Sequence, residues 1–62
     1  MNRLFDARRA KGISREALAK AADISPRTIE RYEQGRSDLN DASYKTVKAI
    51  AQALGVDPEK II

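Results

Sequence analysis

Apolar residues along this chain recur every three or four positions and no run alternates, so the pattern predicts helices and no strand. Leu4, Ala7 and Arg8 share one face of a first helix over roughly 2–11, whose last turn carries Lys11 and which Gly12 can close. Ser14 can cap a second helix, REALAKAA, with Leu18, Ala19 and Ala22 as its apolar side and an end near Asp23. Ser25 followed by Pro26 starts a third, because serine is a good N-cap and proline suits the first helical position, where its missing N–H would have been unpaired anyway. Ile29 and Tyr32 lie three apart on one face of it, Arg27, Thr28, Glu30 and Arg31 take the rest, and Gly35 can end it in the left-handed conformation.

The polar run RSDLND that follows has no helical period and reads as a loop, with Leu39 anchoring it inward. Ser43 can cap a fourth helix in which Val47, Ile50, Ala51 and Leu54 follow the i, i+3, i+4, i+7 pattern up to Gly55. Asp57 and Pro58 begin a short last helix carrying Ile61 and Ile62. The expected fold is all-α, a compact bundle of four to five short helices in one domain over 1–62, with no linker, repeat or low-complexity segment.

Composition removes whole classes of function. A chain of 62 residues builds one modest core and leaves no room for an enzyme cleft. Without cysteine or histidine there is no disulfide, no thiolate zinc site and not the commonest general base. No phosphate-cradling glycine loop or nucleophile and base pair appears either, so the expectation is no enzyme, no cofactor, no metal and no small-molecule ligand. The apolar runs are too short to span a membrane and MNRLFDARR lacks the apolar centre of a signal peptide, which points to the cytoplasm. Twelve basic residues against nine acidic ones, net +3, lean only mildly toward an anionic partner, so the placement of the arginines has to decide.

That placement is informative. Two short helices joined by a tight turn at Asp23, with Leu18, Ile24, Ile29 and Tyr32 apolar and a small Ala19 between them, form a helix-turn-helix pattern over about 15–34. Leu4 and Arg8 ahead of KGIS, then ALAKAADIS, TIERYEQG and TVKAIAQALGV, spread over essentially the whole chain. In these features the sequence resembles the small, lambda-repressor-like DNA-binding domain of the Cro and CI repressor family, also called XRE-like.

The resemblance implies sequence-specific binding of double-stranded DNA by a transcriptional regulator of repressor type, with the third helix in the major groove. It would set Pro26, Arg27, Thr28 and Arg31 at base edges. An arginine fork can bond guanine O6 and N7 together, a contact worth about 1 to 3 kcal/mol of discrimination. Thr28 can offer its methyl to thymine or simply fill surface. Glu30 can accept from cytosine N4, or serve as a solvated spacer or a device against wrong sequences. Arg15 falls where the family commonly has a glutamine gripping the backbone, and with Arg36, Ser43 and Lys45 it would contact phosphates. Arg8 and Glu33 take positions that usually pair, tying the first helix to the end of the third.

The sequence also departs from the family pattern. Pro26 stands where a polar base reader is frequent, Asp23 stands where glycine is preferred, and the loop GRSDLNDAS is longer than in many phage repressors. Phe5 lies one residue off the Leu4 and Ala7 face, either filling space left by the small Ala7 or exposed as a subunit contact. Since one short helix in one groove gives little affinity, a homodimer is expected, at least on DNA, with Phe5, Tyr44, Ile61 and Ile62 as candidate contacts. The competing reading is a protein-binding helix-turn-helix module, such as an antitoxin or a partner subunit, whose sign would be the acids Glu30, Asp38 and Asp41 near the groove.

Overall fold

The computed structural model describes residues 2–62, so Met1 of the expected domain lies outside the described residues. Of four α-helices, α1 (Arg3–Lys11), α2 (Arg15–Ala22), α3 (Pro26–Glu33) and α4 (Tyr44–Leu54), the first three are joined by short turns and the last two by a longer loop. Two single 3-10 turns, Leu39–Asp41 and Pro58–Lys60, complete the chain, and there is no strand among the described residues. No helix of the described residues is long and apolar enough to cross a membrane.

Each helix starts on a side chain that accepts an otherwise unpaired N–H. Asn2 caps α1 through Phe5 N, and Ser14, Ser25 and Ser43 cap α2, α3 and α4 through Ala17 N, Thr28 N and Thr46 N. The ends are as local. In α3, Gly35 at φ 76° lets its own N–H reach Tyr32 O at 3.2 Å and Arg36 N reach Arg31 O at 2.9 Å, closing two orphan carbonyls. The end of α2 makes the same bonds, Asp23 N to Lys20 O at 3.2 Å and Ile24 N to Ala19 O at 3.0 Å, with Asp23 at φ 58° in the left-handed region. Aspartate tolerates that region better than most residues and less well than glycine, so the turn between α2 and α3 carries a small conformational cost.

The core sits where α2 meets both α3 and α4. Leu4, Leu18, Ile29 and Ile50 are fully buried, ringed by Ala19, Ala22, Val47, Ala51, Leu54 and Ile61. Ala19 is buried in this crossing, where a larger side chain would force the helices apart. Leu39 does anchor the loop, and it is held there by structure the polar pattern concealed. Asp38 accepts from Asn40 N at 2.9 Å and from the Asn40 amide at 3.1 Å, capping the 3-10 turn at Leu39–Asp41.

The expected fifth helix is a single 3-10 turn. Its bonds, Lys60 N to Asp57 O at 2.9 Å and Ile61 N to Pro58 O at 3.1 Å, span three residues, and no side chain caps it. Ile61 leaves this turn into the core, which removes it from the candidate subunit contacts, while Ile62 stays exposed. Phe5 takes neither expected role alone: it is half-buried, and the guanidiniums of Arg8 and Arg9 each stand 5.5 Å from its ring centre.

Candidate nucleic-acid interface

Helix α3 has one buried stripe, Ile29 and Glu33, and everything else on it is open or half-open. Glu33 is a carboxylate in the interior, and its cost is met by Arg8. Arg8 Nε donates to Glu33 Oε2 at 2.5 Å, Nη2 donates to Oε1 at 3.2 Å, and Nη1 donates to Ile13 O at 3.0 Å. The hydrogen bond to Glu33 raises the Arg8 guanidinium above its ordinary value, against the opposing pull of burial, with the charges of Glu33 and Glu16 adding to the rise. A second tie comes from Asn2, whose amide donates to Tyr32 O at 2.6 Å. α1 thus grips the C-terminal end of α3 by a fork and an amide.

The outward side of α3 faces a depression of about 500 Å³ lined by Arg15, Pro26, Arg27, Glu30, Arg31 and Arg36, joined by Glu16 and Gln34. Six residues picked out from the sequence therefore meet on one surface. Four arginines against two glutamates make it positive, and the positive end of the α3 dipole lies at its edge. Arg27, Arg31 and Arg36 are exposed, free to extend to an anionic partner.

Other candidates lie elsewhere. Thr28 is half-buried, and its hydroxyl is 2.8 Å from that of Ser25, so it is engaged with the helix cap. Ser43 is the cap of α4: it accepts from Thr46 N at 3.2 Å and donates to the Thr46 hydroxyl at 3.0 Å. Lys45 is exposed in the first turn of α4, and neither it nor Ser43 lines the depression, so Arg36 stands with the arginines of α2 and α3 rather than with them.

Arg15 differs from the other arginines. Its Nη1 stands 3.6 Å from Glu30 Oε2 and its Nε 3.5 Å from Glu33 Oε1, with the Nε atom buried and without a hydrogen-bond partner. Two polar residues of the depression, Glu16 and Gln34, did not stand out in the sequence. Gln34 donates to Glu30 Oε2 at 3.3 Å, and its place four residues after Glu30 was the signal available for it.

A helix-turn-helix family model matches residues 4–61. Among curated proteins none matches this sequence. Among solved structures, the chain is similar to the restriction-modification controller protein C.AhdI from Aeromonas hydrophila, with 28% identity and a TM-score of 0.84 over 97% of this chain and 86% of that one. With the capped helix pair, the arginine-lined face of α3 and a family match over nearly its whole length, this chain belongs to the XRE-like helix-turn-helix family of DNA-binding transcriptional regulators.

Proposed function

We propose that this protein is a sequence-specific, repressor-like regulator that lays α3 in the major groove of duplex DNA. The observation that carries the reading is the division of α3: its inner stripe is locked into the fold while its outer side gathers Arg15, Arg27, Arg31 and Arg36 around one depression. Arg27 and Arg31 are the base readers, each able to fork onto a guanine edge. Thr28, its hydroxyl held by Ser25, has its methyl left for thymine, and Pro26 packs against the groove wall without a donor of its own. Arg15, Arg36 and Lys45 hold phosphates, joined by Ser43, whose hydroxyl turns its proton from Thr46 to the backbone running past the start of α4. The likeness to a restriction-modification controller protein supports a control function, exerted by binding rather than by catalysis.

Binding is as a homodimer, at least on DNA. Tyr44, 70% exposed, and Ile62, 38% exposed, border a shallow depression with Leu39, Ala42, Val47 and Pro58 that offers apolar surface to a second copy. Selection from a random duplex library at physiological salt, followed by titration of the enriched and a scrambled site, tests the reading. The expected result is a palindromic motif with half-sites about one helical turn apart. No enrichment, with weak binding that vanishes as salt rises, would overturn it in favour of a protein-binding module.

A further inference from the structure

Arg15 is attracted by two carboxylates and bonded by neither. Glu33 is occupied: both its oxygens accept from Arg8, at 2.5 and 3.2 Å, leaving Arg15 Nε at 3.5 Å without a hydrogen bond. Glu30 is half-exposed, and its Oε2 holds only the Gln34 amide at 3.3 Å and the Arg15 Nη1 at 3.6 Å. Charge-assisted bonds between guanidinium and an anion normally close to about 2.7–2.9 Å. Arg15 therefore has unspent bonding capacity, and a phosphate oxygen arriving at the depression offers the short bond the glutamates do not.

The exchange has a consequence for Glu30. Once Arg15 turns to phosphate, Glu30 is an acid set among groove atoms with only the Gln34 amide on its Oε2, and its other oxygen must find a donor or remain desolvated and unpaired. In the major groove, cytosine N4 and adenine N6 carry the donors, whereas guanine and thymine present acceptors that repel a carboxylate. We propose that Arg15 and Glu30 act as a coupled specificity device: phosphate capture by Arg15 uncovers Glu30, which then selects a base with an exocyclic amino group and rejects one without. Glu30 is the determinant, and Arg15 is the phosphate contact that covers it until DNA arrives. The proposal rests on duplex binding through α3 and adds to it a reader of opposite charge to the arginines.

Two readouts on the intact protein test the two halves. Repeating the library selection with Glu30→Ala and Glu30→Gln should erase the preference for an amino-bearing base at one position of each half-site and leave the preferences set by Arg27 and Arg31. Titration against the selected duplex and its single-pair variant at that position should show discrimination falling by about tenfold. Arg15→Ala should keep that preference while weakening both duplexes alike and lowering the salt slope by about one. If the Glu30 variants select the unchanged motif and merely bind every duplex more tightly, Glu30 is only a negative charge and the proposal fails. An unchanged salt slope in Arg15→Ala would place Arg15 on the glutamates in the complex and overturn the exchange. Wild-type protein that selects no duplex would instead remove the DNA reading on which both halves stand.

Discussion

The two sides of α3 use the same pair of residue types for opposite ends. On the inner side Arg8 and Glu33 form a fork at 2.5 and 3.2 Å, both nearly excluded from solvent. On the outer side Arg15 and Glu30 lie 3.6 Å apart with side chains 34% and 41% exposed, attracted and not joined. Burial makes the difference. An interior pair must be fully bonded because an unpaired charge there costs more than the fold can spare, while a half-exposed pair is screened and free to change partners. Inner contacts should therefore govern stability and outer contacts binding.

The sharpest test of the division is Arg8→Ala, which strands Glu33. Removing one partner of a buried pair costs about 3–5 kcal/mol, so the melting temperature followed by circular dichroism should fall by at least about 10 °C. An unchanged melt would show that the fork does not hold α3. The fork is also insensitive to ordinary pH on its basic side. Because the folded guanidinium is raised above its unfolded value, its stabilisation is complete below that unfolded value and is lost only as pH climbs through the higher folded one. Buffers from neutral to mildly alkaline should leave this contribution in place, and a loss of stability across that span would have another source.

Outer substitutions come next in size. Arg27→Ala and Arg31→Ala should each cost about 1–3 kcal/mol of binding to the selected site and relax its base preference, with the melt essentially unmoved. A large drop in melting temperature from either would mean that the outer side also carries the fold. Ser25→Ala blurs the two sides, since the cap holds the start of α3 for both. It should cost about 1 kcal/mol of stability in denaturant unfolding and weaken binding by disordering the first turn.

The least effect is expected from Asp23→Gly, which relieves the left-handed turn at φ 58°. Relief is partly offset by the greater freedom of glycine in the unfolded chain, leaving a gain below about 1 kcal/mol. A destabilised Asp23→Gly protein would show that aspartate contributes a contact worth more than its backbone cost.

How much of this was legible depends on the reach of each interaction. The caps Ser14, Ser25 and Ser43 and the ends at Gly12, Gly35 and Gly55 are written locally, because each bond spans only a few residues. Leu18, Ile29 and Ile50 follow from helical spacing, and the family pattern supplied a partner for Arg8 that spacing could not. The turn at Leu39–Asp41 escaped because an aspartate cap inside a polar run has no period to reveal it. Contacts between distant residues were hidden for a different reason. The amide of Asn2 on Tyr32 and the approach of Arg15 to Glu30 depend on how helices cross, which local propensity does not encode. The face itself was visible as a set of residues, and its internal couplings were not.

The buried stripe of Ile29 and Glu33 also bears on how such a protein changes over generations. Residues that keep the helix in place and residues of its open side, proposed to face DNA, are interleaved in one eight-residue segment, yet they answer to different constraints. A lineage holding the stripe constant can replace Arg27, Glu30 or Arg31 one at a time without passing through unfolded intermediates. Divergence in target can then outrun divergence in fold, and two descendants with the same melting behaviour could come to ignore each other's DNA.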